Sequence, residues 1–180
     1  AVFLDRDGTL NIERESVRTP EDLALIDGVG SALKSLQEAG YMLIIVTNQS
    51  AIARGDLSEG ELTEIHRSMR ELLATHGVSI DDILHCPHHP TEGEAPLRTI
   101  CECRKPAPGM INAAALRHDI DLNRSWLLGD NISDIEAAQR AGIRSLLVKT
   151  GKGKRFATQL NETQVASDLG EAARRILNES

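Results

Sequence analysis

Aromatic residues are scarce in this chain: Phe3, Tyr41, Trp126 and Phe156 are all there are in 180 residues. Long apolar runs are missing too. None approaches the roughly 18 residues that a membrane span requires, and the short apolar start Ala1 to Leu4 has no basic region before it. A membrane-embedded or exported protein is therefore not expected. Excess positive charge is also lacking, with 20 basic residues against 27 acidic ones and a net charge of -7. That excludes a broad nucleic-acid surface, which needs clustered Lys and Arg, and an anionic small molecule would need a local positive pocket instead. Cysteines number only three, an odd count, and all fall between positions 86 and 103. Such a cluster points to a metal before a disulfide, and to a reducing, cytoplasmic setting. The chain has no repeat, linker or low-complexity tract. With 41% apolar and 26% charged residues, it has the composition of one folded domain, 1–180, that buries roughly 70% of its unfolded surface.

What is present is an alternation of strand and helix signals. Ala1 to Leu4 is an apolar run that ends abruptly in Asp5-Arg6-Asp7-Gly8-Thr9, and Tyr41 to Val46 is a second run ending in Thr47-Asn48-Gln49-Ser50. Both read as buried strands with polar residues at their carboxyl ends. Between them Val29, Leu33, Leu36 and Ala39 recur at helical spacing and stop at Gly40. Ser58 followed by Glu61 is a capping-box signature for a helix that runs to about Gly77. Ile83 to His85, Trp126 to Leu128 and Ser145 to Val148 read as further strands, with helices over Met110 to His118 and Ile135 to Ala141. The tail from Thr150 is basic and polar, then offers an edge strand at Val165 to Leu169 and a closing helix at Glu171 to Leu177. This order predicts an α/β fold: a single Rossmann-like three-layer domain with a parallel sheet covered on both faces. Ligands of such sheets sit beyond the carboxyl ends of the strands, where the polar residues converge.

Asp5 and Asp7 stand two residues apart, and on a simple extended strand they would point to the same side. Two anions so placed repel unless a cation joins them. Asp130 and Asp134, after another strand, complete an oxygen-rich set suited to magnesium, which takes one or two carboxylates, waters and a substrate phosphate. Each Asp taken alone is as well explained as a turn cap. Two Asp-rich strand ends, with Thr47 at a third and Lys105 available for a phosphate oxygen, favour the site.

These residues resemble the four ordered motifs of the haloacid dehalogenase superfamily of phosphotransferases: Asp5-Arg6-Asp7-Gly8-Thr9, Thr47-Asn48, Lys105 before Pro106, and Gly129-Asp130 with Asp134. The resemblance implies Asp5 as the nucleophile that forms an aspartyl-phosphate and Asp7 as general acid and base. It implies Thr47 and Lys105 as phosphate ligands, and Asp5, the backbone carbonyl of Asp7 and Asp130 as the magnesium ligands.

Cys86-Pro87-His88 and Cys101-Glu102-Cys103 are two close pairs that together offer three thiols and an imidazole, the ligand set of a closed tetrahedral zinc site. The loop 86–103 then carries a structural zinc that pins Arg104 and Lys105, the residues that follow Cys103. His89 is read as a turn cap beside Pro90, not a ligand. His66, His76, His85 and His118 are read as surface or helix-end residues without a partner.

The cysteine loop, together with Thr47 to Ser50 and Ile52-Ala53-Arg54-Gly55, looks like one branch of the superfamily, the D-glycero-D-manno-heptose 1,7-bisphosphate 7-phosphatases. That likeness implies hydrolysis of a small sugar bisphosphate in heptose synthesis for bacterial surface polysaccharides. It places substrate contacts on Asp5, Arg6, Asp7, the loop Glu13, Arg14, Glu15 and Ser16, then Thr47, Asn48, Gln49, Ser50, Arg104, Lys105 and Asn131. Some members carry Lys where Asn131 stands, which leaves open how the second phosphate is held; Arg104 is the expected compensation. No helical cap is inserted between the motifs, which fits a small, open-sited, monomeric enzyme whose loops set its specificity. Two rivals share features: a histidinol-phosphate phosphatase with a similar zinc loop, and a phospho-acceptor signalling domain. The segment 50–55 and the long interval between the ligand pairs argue against the first. Asp7 argues against the second, because a carboxylate placed to deprotonate water shortens the life of a phosphoenzyme.

Overall fold

The computed structural model describes residues 1–14 and 17–179. Apolar strands and amphipathic helices alternate in it: β1 (Val2–Leu4), α1 (Val29–Glu38), β2 (Leu43–Asn48), α2 (Glu59–Ala74), β3 (Asp82–Cys86), α3 (Gly109–His118), β4 (Trp126–Gly129), α4 (Ile132–Ala141), β5 (Arg144–Val148), α5 (Gly153–Phe156), β6 (Val165–Ala166) and α6 (Leu169–Asn178). The strands form one six-stranded sheet in the order β3-β2-β1-β4-β5-β6. Every pairing is parallel.

Side chains alternate across the sheet, so each strand supplies both cores. Val2, Leu4, Leu43, Ile45, Trp126, Leu128, Leu146 and Val148 pack on one face, against Leu33 and Leu36 of α1, Met69 and Leu73 of α2, and Ala172 and Ile176 of α6. Phe3, Ile44, Val46 and Leu127 pack on the other, against Met110, Ile111 and Ala114 of α3 and Ala137 and Ala138 of α4. This is the three-layer α/β arrangement expected. Full burial of each such side chain contributes about 1.5–3 kcal/mol, which is what holds the short three-residue β1 at the centre.

Local signals set the element ends. Ser58 Oγ accepts from the Glu61 N–H, and Glu61 Oε2 accepts from the Ser58 N–H at 2.7 Å, closing the expected capping box. Gly40 ends α1 with φ of 87°, a conformation that costs glycine little. Helix α4 starts at Ile132, earlier than the apolar pattern suggests, because Asn131 accepts from the Ser133 N–H and Asp134 reaches back to the Asn131 N–H. Strand β2 runs on through the polar Thr47 and Asn48, which pair with His85 and Cys86. The edge strand β6 is cut to two residues since Asp168 caps α6 directly after it. The basic stretch after Thr150, which carried no clear pattern, forms α5 and short 3-10 turns.

The chain builds outward from β1 through β2 to β3, then returns to β4 on the other side of β1. The carboxyl ends of β1, β2 and β4 therefore meet where the winding reverses, the place such sheets reserve for ligands.

Candidate active site

A cleft of about 590 Å³ opens at this reversal. Asp5 follows β1 directly, its N–H donating to the Leu128 carbonyl at 2.9 Å. The chain then turns sharply: the Arg6 carbonyl accepts the N–H groups of Thr9, Leu10 and Asn11. Gly8 has φ of +80°, and a Cβ there would fall 2.1 Å from Asp130 Oδ2. The first turn and the turn after β4 thus touch backbone to carboxylate, which only glycine permits.

Lys105 lies at the centre, 4% exposed. Its ammonium donates to Asp5 Oδ1 and to the Val46 carbonyl, each at 2.7 Å, and forms an ion pair with Asp134 Oδ1 at 2.6 Å. Asn48 holds it there by the backbone: Asn48 Nδ2 donates to the Lys105 carbonyl and Asn48 Oδ1 accepts the Lys105 N–H, each at 3.0 Å. Oxygens of Asp5, Asp130 and Asp134 lie within 4.8 Å of one another. Burial pushes the Asp5 carboxyl up to about 8, with Asp134 and Asp130 adding to the rise and Lys105 opposing it. Burial likewise raises Asp130 to about 6. Lys105 is held above its usual range because Asp134 and Asp5 outweigh the cost of burying its charge. Three buried carboxylates facing one ammonium require a further cation to stay ionised together, and an all-oxygen donor set suits magnesium.

Asp7 is differently placed from the strand-based expectation. Strand β1 ends at Leu4, so the alternation that would set Asp5 and Asp7 side by side does not extend to them. The Asp7 carboxylate stands outside the cluster of Asp5, Asp130 and Asp134. Arg6 Nη2 contacts its two oxygens at 2.8 and 3.0 Å, and Asn11 Nδ2 and Gln49 Nε2 each donate to it at 3.0 Å. Burial opposes this ionised form, but Arg6, Asn11 and Gln49 prevail and hold Asp7 below the usual carboxylate range.

The other expected contacts divide. Glu13, Arg14, Thr47, Asn48, Gln49, Ser50, Arg104 and Asn131 all line the cleft. Glu15 and Ser16 lie outside the described residues. Arg6 is 1% exposed and its guanidinium is turned to Asp7 and Gln49. Gln49 also donates to Thr47 Oγ1 at 2.7 Å, so it links the two turns. The Asn131 side chain serves as the α4 cap. Arg104 lines the cleft as expected, although its Nη1 donates to the His88 carbonyl at 3.0 Å. Lys152 and Arg54 line it too; Arg54 stands in the segment 52–55 noted from sequence, but neither was expected as a substrate contact. Lys152 sits in the patternless basic stretch, and its only sequence signal was its charge.

Cys86, His88, Cys101 and Cys103 come together as a second cluster. Their sulfur separations are 3.5, 3.1 and 3.3 Å, and His88 Nδ1 lies 3.6 Å from Cys86 and 3.3 Å from Cys103. A tetrahedron with metal–sulfur bonds of about 2.3 Å has edges of roughly 3.8 Å, so the four donors are gathered about one point as zinc requires. The cysteines are not bonded to each other. His89 is not among the four; its Nδ1 accepts the Glu92 N–H at 2.9 Å, the turn cap expected.

Three of the four histidines set aside as unpartnered, His66, His85 and His118, have partners. His66 on α2 lies behind Arg6, with Nε2 3.4 Å from Nη1, and meets His85 edge to face. Burial and the Arg6 charge push it down to about 3. His85 contacts Glu59 at 2.9 Å and His118 contacts Asp82 at 2.8 Å. These pairings join separate elements and have no local sequence signature.

Residues 102–172 match a family model described as HAD-hydrolase-like. Over 154 residues the chain is 47% identical to the D-glycero-beta-D-manno-heptose-1,7-bisphosphate 7-phosphatase of Haemophilus ducreyi, covering 84% of each chain. It is 41% identical over 153 residues to the enzyme of that name from Escherichia coli K12, covering 84% of this chain and 80% of the other. In structure it resembles the D,D-heptose 1,7-bisphosphate phosphatase of B. bronchiseptica complexed with magnesium and phosphate, with a TM-score of 0.88, 37% identity, and 99% and 98% of the two chains covered. The corresponding phosphatase of Burkholderia thailandensis superposes with a TM-score of 0.72 at 30% identity over 98% and 97% of the chains.

Proposed function

The chain belongs to the D-glycero-β-D-manno-heptose-1,7-bisphosphate 7-phosphatase family of haloacid dehalogenase-like phosphoric monoester hydrolases, and on that premise we propose that it removes the 7-phosphate of the β-anomeric bisphosphate. The observation that carries this reading is Lys105 fixed between Asp5 and Asp134 at the sheet's winding reversal, with Asp7 beside it in the cleft.

In the proposed reaction Asp5 attacks phosphorus, the bond to the sugar oxygen breaks, and Asp7 protonates that oxygen as it leaves. Water then attacks the aspartyl-phosphate, Asp7 takes its proton, and the bond to Asp5 breaks to release inorganic phosphate. Arg6 and Gln49 hold Asp7 in the base form that the second step needs. An arriving phosphate dianion raises the affinity of Asp7 for a proton, as the first step needs. Lys105 and Thr47 receive phosphate oxygens. Asp5, the Asp7 carbonyl and Asp130 are proposed to hold magnesium, which supplies charge neutralisation and Lewis acidity to the phosphoryl oxygens when bound. Zinc on Cys86, His88, Cys101 and Cys103 is proposed as structural, steadying the loop 86–103 that ends at Arg104 and Lys105.

The 180 residues are read as one catalytic unit, a cytoplasmic monomer serving heptose synthesis for surface polysaccharides. No helix among the described residues is long and apolar enough to cross a membrane. Phosphate release across a panel of both heptose bisphosphate anomers, histidinol phosphate and fructose bisphosphate tests the substrate. The β anomer should be the best, and comparable rates on all four would refute the specificity. Asp5→Asn should abolish turnover with the fold intact, and undiminished release by that variant would remove Asp5 as nucleophile. Acid-quench labelling that showed a phosphoenzyme lasting minutes would favour a signalling role instead.

A further inference from the structure

A sugar with two phosphates needs two electropositive places, and Lys105 supplies only the reacting one. Of the other cleft cations, Arg6 is spent on Asp7 and Gln49 and Arg54 is shared among Asp56, Glu92 and Ser50, while Arg104 gives one N–H to the His88 carbonyl and Arg14 lines the cleft with its side chain exposed. Asn131 carries no charge and caps α4.

Lys152 differs in how its backbone is held and in how loosely its charge is held. Its N–H donates to Asp130 Oδ2 at 2.7 Å, and two residues earlier Thr150 Oγ1 donates to the Gly8 carbonyl at 2.6 Å. Between them Gly151 has φ of +52°, and a Cβ on it would fall 2.1 Å from Asp130 Oδ2 and 2.6 Å from Gly8 Cα. The turn is thus wedged against both Asp-bearing turns, at a set separation from the phosphoryl site. The Lys152 side chain is 46% exposed and its ammonium meets Glu13 Oε1 at 2.6 Å, with both residues lining the cleft. A half-exposed ion pair of this kind is weak, so a dianion displaces the single carboxylate at little cost.

We infer that Lys152 receives the remote phosphate of the substrate, the ester that is not hydrolysed, and that Glu13 is the anion it releases to do so. The inference rests on the bisphosphate reading. It makes Lys152 a specificity-determining residue in the place where Asn131 lacks a charge, and Glu13 a competitor for the substrate.

Steady-state kinetics on heptose 1,7-bisphosphate and on the 7-monophosphate test it, each with a magnesium titration. Lys152→Met should raise KM for the bisphosphate about tenfold to a hundredfold, the range of a lost charge-assisted contact, and leave the monophosphate within about twofold. Lys152→Arg should recover most of the loss, and Glu13→Gln should lower KM for the bisphosphate alone. Equal losses on both substrates, or a weakened magnesium response in Lys152→Met, would overturn the inference, since Lys152 would then act through Asp130. So would a selective bisphosphate loss in Arg14→Met, Arg54→Met or Arg104→Met in place of Lys152→Met. A wild-type protein active on the monophosphate but not on the bisphosphate would overturn the bisphosphate reading itself, and this inference with it.

Discussion

One buried ammonium, that of Lys105, is shared by Asp5, Asp134 and the Val46 carbonyl, and its aim depends on a neighbour with no charge. Asn48, in the cleft wall, grips the Lys105 backbone with both ends of its amide. From sequence Asn48 reads as a substrate contact; in the structure it lines the cleft and its amide also positions Lys105. Removing the amide leaves a part-buried N–H and C=O without their partner, at a cost of about 1–3 kcal/mol, and frees Lys105 to shift. Misplacement of about 1 Å can cost on the order of a hundredfold in rate. Asn48→Ala should therefore lower kcat by about tenfold or more with the magnesium response unchanged. Asn48→Asp, which keeps the acceptor for the Lys105 N–H, should fall between the two. Wild-type kcat in Asn48→Ala would show that Lys105 needs no such clamp.

Among the elements, the helices and buried strands were legible because their apolar residues recur at periods of 3.6 and 2 and because Ser58 with Glu61 and Gly40 mark ends by local chemistry. What escaped was set by partners distant in sequence. The polar end of β2 is a strand because β3 pairs with it, and the turn 150–152 is ordered by Gly8 and Asp130. In the site, the Asp-rich turns, Lys105 and the cysteine loop were visible as residue types at telling positions. The Arg6–His66 contact and the Lys152–Glu13 pair were not, because no spacing records them. The cysteine loop makes its own prediction. It joins β3 to the segment bearing Lys105, and Cys86 at the end of β3 is fully buried while Cys101 and Cys103 are only partly so. Without a metal, nothing covalent holds 101–103 to 86–88. Elemental analysis should find one zinc per chain, and Cys101→Ser or a strong chelator should raise KM and expose the loop to proteolysis. The far-UV circular dichroism should change little, because the loop adds only its cysteine side chains to one of the two cores. A metal-free protein, made with zinc present, that keeps full activity would exclude the zinc role.

At the scale of the whole molecule, stability is tied to pH through His66, which lies outside both donor clusters. The groups facing it are Arg6, His85, Asp7 and Arg70; burial and the positive neighbours outweigh Asp7, so the ring stays neutral in the folded protein down to about pH 3. Unfolded, it takes a proton near its ordinary value of about 6.5. Between these values the unfolded chain binds more protons than the folded one. The His66 contribution is therefore fully present above about pH 6.5 and is lost as pH falls toward 3, by up to about 1.4 kcal/mol per pH unit. Asp130 and Asp5 act in the opposite sense in metal-free protein, because burial raises them and the folded state then gains protons first. The wild-type curve alone mixes these effects, and the difference from His66→Gln separates them. That variant cannot be protonated, while a neutral amide still faces Arg6. Urea unfolding at pH 7 and pH 5 should show the wild type losing about 1–2 kcal/mol more than His66→Gln over the interval. Parallel losses in the two proteins would mean that His66 gains its proton in the folded state as readily as in the unfolded chain.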